Sequence, residues 1–243
     1  SQRSQVAAAY NRSARLEERR RMMQAWGDYL DALRNDALSI LLQQNERHPE
    51  IIKDIAHVFR NPEQGDNWRS YVLQYFPAYW ERHASRKARV QSEPDFSTVT
   101  DPSGRAALEL TRDILNEATE ERSGPVAGTA LLSMIEMSHE NGLFSRKDVK
   151  NVTLEILRDT TSSEASRMTA LRIAARLDVQ QAVKNARTLA QTGQSAMARM
   201  VAIRTLGDLG SKREHNLLAS LAETNNERIR RVARAALDKL EKK

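Results

Sequence analysis

The sequence predicts an all-α chain built largely from stacked antiparallel helix pairs, and three observations carry that prediction. Ala, Leu and Arg dominate while aromatic residues make up 5% of the 243 positions, and those three residues lose little side-chain freedom in a helix. The Gly and Pro residues, nine and six in number, fall in clusters rather than at the short regular intervals of strand turns. Above all, one helical spelling recurs. Arg167, Ala170, Ala174 and Leu177 are matched 32 residues later by Arg199, Ala202, Leu206 and Leu209, and 31 residues further on by Arg230, Ala233, Leu237 and Leu240.

The shared template is R-x-x-A-x-x-x-[AL]-x-x-L. Its apolar positions lie on one helix face, and the small residue lets a neighbouring helix come close. A pair of this kind cannot bury its face alone, so stacking neighbours must complete the core. Two earlier segments fit more loosely: Pro125, Gly128, Leu132 and Ile135, then Arg69, Val72, Phe76 and Tyr79. First helices are expected over 146–157, 180–191 and 214–223, bounded by Gly142, Gly193 and Gly210.

From the N-terminus, residues 6–44 read as one helix, or two with a break at Asn35-Asp36. Leu16, Met23, Trp26, Leu30, Leu33, Leu38, Leu41 and Leu42 form an apolar stripe there. Pro49 opens a helix over 50–60, since its missing N–H would be unpaired in the first turn anyway. The turn 61–66 leads into the aromatic stretch 68–82, with Trp68, Tyr71, Tyr75, Phe76, Tyr79 and Trp80. Aromatic residues bury large areas, so core is favoured here over an exposed partner-binding patch. Pro77 predicts a kink or break near Phe76. Over 84–100 the pattern collapses into an exposed connection. Asp101-Pro102 then forms a strong helix start, with Asp as N-cap, for a helix running to about residue 121. The expected organisation is a helical cap over 1–83, a linker over 84–101 and a repeat solenoid over 102–243.

Ala170-Leu171-Arg172, and Ala202-Ile203-Arg204 with the downstream Gly207-Asp208-Leu209-Gly210, resemble the second helix of HEAT repeats. The resemblance covers about 102–243. It departs from the family pattern in two ways. The consensus Pro of the first helix is absent from the last three pairs, and the period stretches to 42 residues between Pro125 and Arg167. The resemblance implies an extended concave surface made by successive second helices, where partner proteins lie. It makes Arg172, Arg176, Arg204 and Asp208 candidate partner-binding residues, with Arg234 one repeat on.

A second likeness lies at the N-terminus. Ala8-Ala9-Tyr10-Asn11-Arg12-Ser13 and the Arg-rich run from Leu16 to Trp26, followed by Asp28-Tyr29-Leu30, are similar to the C-terminal tail of phage-type tyrosine recombinases, whose nucleophile would match Tyr10. That tail stands at the wrong end of this chain. The Arg and His residues the family places upstream have no room before Tyr10, and a nucleophile without its activating partners does little. The likeness is therefore read as a chance match of an Arg-rich amphipathic helix.

The remaining composition narrows the chemistry. Without cysteine there are no disulfides, thiolate metal sites or cysteine nucleophiles, a composition compatible with either cytosol or periplasm. No run of eighteen apolar residues marks a membrane span. The start at Ser1 leads to the expectation that a tag, signal peptide or membrane anchor was removed. His48, His57, His83, His139 and His215 show no ligand spacing, and there is no phosphate-binding glycine loop or G-x-S-x-G elbow. No catalytic residue, cofactor site or metal site is therefore assigned.

The net charge of +6 allows an acidic partner. Basic clusters occur at Arg82, Arg86, Lys87 and Arg89, and from Arg228 to Lys243; Arg230 is expected to pair with an acidic residue of the adjacent repeat. The leading reading is a non-enzymatic scaffold for protein–protein interaction. The alternatives are a nucleic-acid-binding protein with a basic concave face, or a structural domain of a membrane-anchored envelope protein. The HEAT-like alkylpurine DNA glycosylases are an extreme of the nucleic-acid reading, but Trp26, Trp68 and Trp80 all precede the repeats.

Overall fold

The computed structural model describes residues 21–25, 33, 36–37, 40, 48–61, 63–85, 96–139 and 141–242. The chain divides into two compact units, Ser1–Arg47 and His48–Lys243. In the first, residues 21–25, 33, 36, 37 and 40 are helical. The rest of the expected 6–44 helix, including Tyr10 and Asn35, lies outside the described residues, as do Arg86, Lys87, Arg89 and much of 84–101.

The second unit is all-α, with no strand among the described residues. Its helices are α1 (Ile51–Arg60), α2 (Asp66–Leu73), α3 (Tyr75–Ser85), α4 (Pro102–Glu120), α5 (Val126–Glu136), α6 (Arg146–Arg158), α7 (Glu164–Arg176), α8 (Val183–Thr192), α9 (Ala196–Leu209), α10 (His215–Ala222) and α11 (Glu227–Glu241). From α4 onward they pack as consecutive pairs: α4 with α5, α6 with α7, α8 with α9, and α10 with α11. At the N-terminal end α1 packs on α2 and α4, and α2 packs on α5.

The second helix of each of the last three pairs begins on a side-chain cap that satisfies a first-turn N–H. Ser163, Ser195 and Asn226 accept from Ser166, Ala198 and Ile229 at 3.1, 3.1 and 3.2 Å. Each cap precedes its template arginine by four residues. Asp101 caps α4 in the expected way, accepting from Gly104 N at 2.7 Å. The first helices of the last two pairs start with a turn of 3-10 helix, at Gln180–Ala182 and Lys212–Glu214.

In the first two of the three copies the template arginine reaches back towards the end of the preceding helix. Arg199 Nε donates to the Ala190 carbonyl at 3.0 Å, and Arg167 Nη2 donates to Thr160 at 2.6 Å and Asp159 at 3.3 Å. Arg69 makes the same contact on Phe59 at 2.7 Å. The carbonyls at a helix C-terminus lack intrahelical partners and carry partial negative charge, so a guanidinium is well placed there. At Arg167 and Arg199 the partner of this position is thus a backbone carbonyl, while Arg230, expected to pair with an acidic residue of the adjacent repeat, makes no ion pair among the described residues.

Ala170, Ala174, Ala202, Leu206 and Ala233 are wholly buried, as the template requires. The looser match at α5 is corrected in one position. Leu132 is 43% exposed, while its neighbours Leu131 and Met134 are buried. The helix is apolar on several sides, so its outward residue is not marked by polarity.

The aromatic stretch breaks at Gln74, two residues before Phe76, into α2 and α3. Phe76, Tyr79 and Trp80 are buried, and Trp80 Nε1 donates to Thr111 Oγ1 at 3.0 Å. Burial first, then the charges of Glu50 and Asp101, push the Tyr79 phenol up to about 12. Trp68, Tyr71 and Tyr75 are half-buried at the edge of this cluster.

Candidate functional site

The second helices form a continuous layer, α5 on α7, α7 on α9 and α9 on α11. Small residues bring them together. Gly128 N donates to Ser166 Oγ at 3.1 Å, and a Cβ at Gly128 would lie 3.0 Å from the Ser166 Cα. A Cβ at Gly207 would lie 2.9 Å from the Ala236 Cα. Between α9 and α7, Thr205 Oγ1 bonds Val201 O in its own helix at 3.1 Å and lies 3.4 Å from Leu171 O.

The offset between α7 and α9 is set by Glu164. Its carboxylate accepts from Gln194 N at 2.7 Å and Ser195 N at 3.3 Å, at the start of α9. Burial pushes the Glu164 carboxyl up, but these hydrogen bonds and the nearby Arg167 outweigh it, and the group sits below its ordinary value.

With the flanks of α7 and α9 buried, each presents one outward stripe with a spacing of four. On α7 it is Met168, Arg172 and Arg176; on α9 it is Met200, Arg204 and Asp208. The arginines and Asp208 are exposed and the methionines half-buried. Counted from the template arginine, the matching residues of α11 are Arg231, Ala235 and Lys239, all exposed. Arg204, Arg231, Ala235 and Lys239 line one cleft of about 270 Å³ between α9 and α11. Lys239 Nζ donates to Asp208 Oδ1 at 2.6 Å across it.

Of the residues expected to bind a partner, Arg172, Arg176, Arg204 and Asp208 share these stripes. Arg234 is exposed but sits one residue before Ala235, about 100° around the helix from the stripe. The structure adds Arg231, Lys239, Met168 and Met200. Their signal was present in the sequence, because carrying the template to the positions one, five and nine after its arginine selects them.

His139 stacks on Phe96 with ring centroids 5.6 Å apart, and His215 Nε2 lies 3.9 Å from Glu241. Among the described residues no group of three His, Cys, Asp or Glu could hold a metal ion, and no helix is long and apolar enough to cross a membrane.

Residues 151–238, within the last three helix pairs, match the family model of HEAT repeats. A 48-residue stretch is 50% identical to a protein named Integrase from Enterobacteria phage P4. It covers 19% of this chain and 11% of that protein's length. This likeness is short and partial, in keeping with a chance match. No solved structure matches the chain.

Proposed function

We propose that this HEAT-repeat chain is a non-enzymatic scaffold that binds another protein along the face of its second helices. The observation that supports this most directly is the alignment of exposed side chains on α7, α9 and α11 into rows that cross the array. A repeat array offers such a surface because each unit adds one ridge of side chains to the next. The organisation that accompanies this reading is a cap over 1–83, a connection over 84–101 and the array over 102–243. The proposed contact set is Arg172, Arg176, Arg204 and Asp208, with Arg234 at the margin.

The experiment is affinity purification of the full chain beside the double variant Arg172→Glu/Arg204→Glu. Both side chains are exposed, so the variant should keep its thermal unfolding midpoint. A protein retained by the wild type and lost from the variant is the expected result. Equal retention by the two would overturn the choice of face. A wild-type gel shift with nucleic acid that falls steeply with salt would favour the nucleic-acid reading instead.

A further inference from the structure

We infer that the partner segment is an acidic amphipathic helix lying across the second helices, its carboxylates on the arginine row and its apolar stripe on the methionine row. This rests on the scaffold reading above and gives the partner its chemistry.

The two rows differ in kind. Met168 and Met200 occupy equivalent positions on α7 and α9, half-buried. Arg172 and Arg204 stand one turn further along each helix, exposed. On α11 the methionine position is taken by Arg231, which lies beside Arg204 in the same cleft. Arg172, Arg204 and Arg231 make no ion pair among the described residues. Their charge is therefore available, whereas the one carboxylate of the stripes, Asp208, is held by Lys239 at 2.6 Å.

The spacing suits a helix. Packed helices lie roughly 8–10 Å apart, so equivalent side chains repeat at about that interval across the array. A partner helix rises about 10 Å in seven residues. Carboxylates seven residues apart would meet Arg172 and Arg204 in turn, and an adjacent apolar stripe with the same repeat would meet Met168 and Met200. Methionine is flexible and polarisable, which lets such a row accept varied apolar side chains. Docking an apolar helix face in this manner is a recurrent recognition mode.

Nucleic acid fits this surface less well. Single-stranded nucleic acid is held by aromatic platforms combined with positive charge, and no Phe, Tyr or Trp follows Phe144 in the sequence. Methionines alternate with the arginines, and Asp208 places a carboxylate among them.

The test is to pan a displayed library of random peptides, about sixteen residues long so that a helix spans two ridge intervals, against the full chain. The same panning is run on Arg172→Glu/Arg204→Glu/Arg231→Glu, checked by far-UV circular dichroism and thermal midpoint. The expected outcome is enrichment of peptides combining Asp or Glu with Leu, Ile, Met or Phe, whose affinity drops by about ten-fold or more in the triple variant. That loss corresponds to roughly 1.4 kcal/mol or more. Enrichment of peptides without acidic bias that still lose affinity in the triple variant overturns the acidic partner and leaves the scaffold face standing. If no peptide is enriched, or the enriched peptides bind both proteins equally, the inference fails. A fluorescein-labelled oligo-dT that binds the wild type and not the variant, with no peptide enriched, replaces both readings with nucleic-acid binding.

Discussion

The Ser133 hydroxyl donates to the Leu73 carbonyl at 2.9 Å, joining α5 to the last residue of α2. Leu73 lies four residues before Pro77, which has no N–H to offer that carbonyl. Serine thus supplies from a neighbouring helix the hydrogen that proline cannot. Both Ser133 and Leu73 are buried, so an unpaired carbonyl would have no water to turn to. Replacing Ser133 with Ala should lower stability by about 1–3 kcal/mol, measured by urea unfolding. In a double-mutant cycle Pro77→Ala should reduce that loss, because the new N–H can reach Leu73. An unchanged loss would mean that the hydroxyl is not substituting for the missing amide.

Gly207 sets how closely α9 approaches α11. Its place in the helix is ordinary, and glycine there is unfavourable by roughly 1 kcal/mol relative to alanine on propensity alone. The close approach explains its presence, since any Cβ would press on the Ala236 backbone. Gly207→Val should therefore destabilise the chain by about 1–3 kcal/mol despite the gain of a side chain. Pairing it with Ala236→Gly should recover part of the loss, because one of the opposing carbons is then removed. Thermal unfolding followed by circular dichroism measures both.

Glu214 is buried and bound by Arg187 at 2.5 Å, with Ser211 N donating to its other oxygen at 2.7 Å. Burial raises its carboxyl, but the hydrogen bonds from Ser211 and Arg187 prevail and hold it below the ordinary 4.5. A carboxyl depressed in the folded state adds stability that is present above its unfolded value and is lost as pH falls through its folded value. Glu214→Gln should accordingly cost about 1–3 kcal/mol at neutral pH. The gap to the wild type should narrow as pH is lowered below about 4.5. A constant gap across that range would show that the charge of Glu214 does not contribute.

Much of this architecture was legible because repetition averages out local ambiguity. Three copies of one template placed the second helices and their buried small residues. The same template held more than its apolar columns. The caps at Ser163, Ser195 and Asn226 recur in register, and so do the outward positions that Arg231 and Lys239 occupy in the last copy. They become visible only when every column, not just the apolar ones, is aligned. Single-copy features were harder to see. Leu132 points outward from a helix that is apolar on several sides. Asp178 closes α7 with φ 52°, a conformation in which glycine is the usual residue. The Val179 N–H then bonds the Ala174 carbonyl at 2.9 Å, so a helix end was made without the glycine that would have announced it. The break before Pro77 followed from the missing amide, but its compensation by Ser133 lies 60 residues away and has no local signal.

The burial of Trp80 against Thr111 has a spectroscopic consequence. Every tryptophan and tyrosine precedes the segment that matches HEAT repeats, so intrinsic fluorescence reports the N-terminal end of the chain and is blind to α6–α11. Circular dichroism weighs all helices alike. Because neighbouring units of a repeat array can unfold separately, the offset between the two melting curves becomes a direct gauge of how cooperatively the array and its aromatic end are joined.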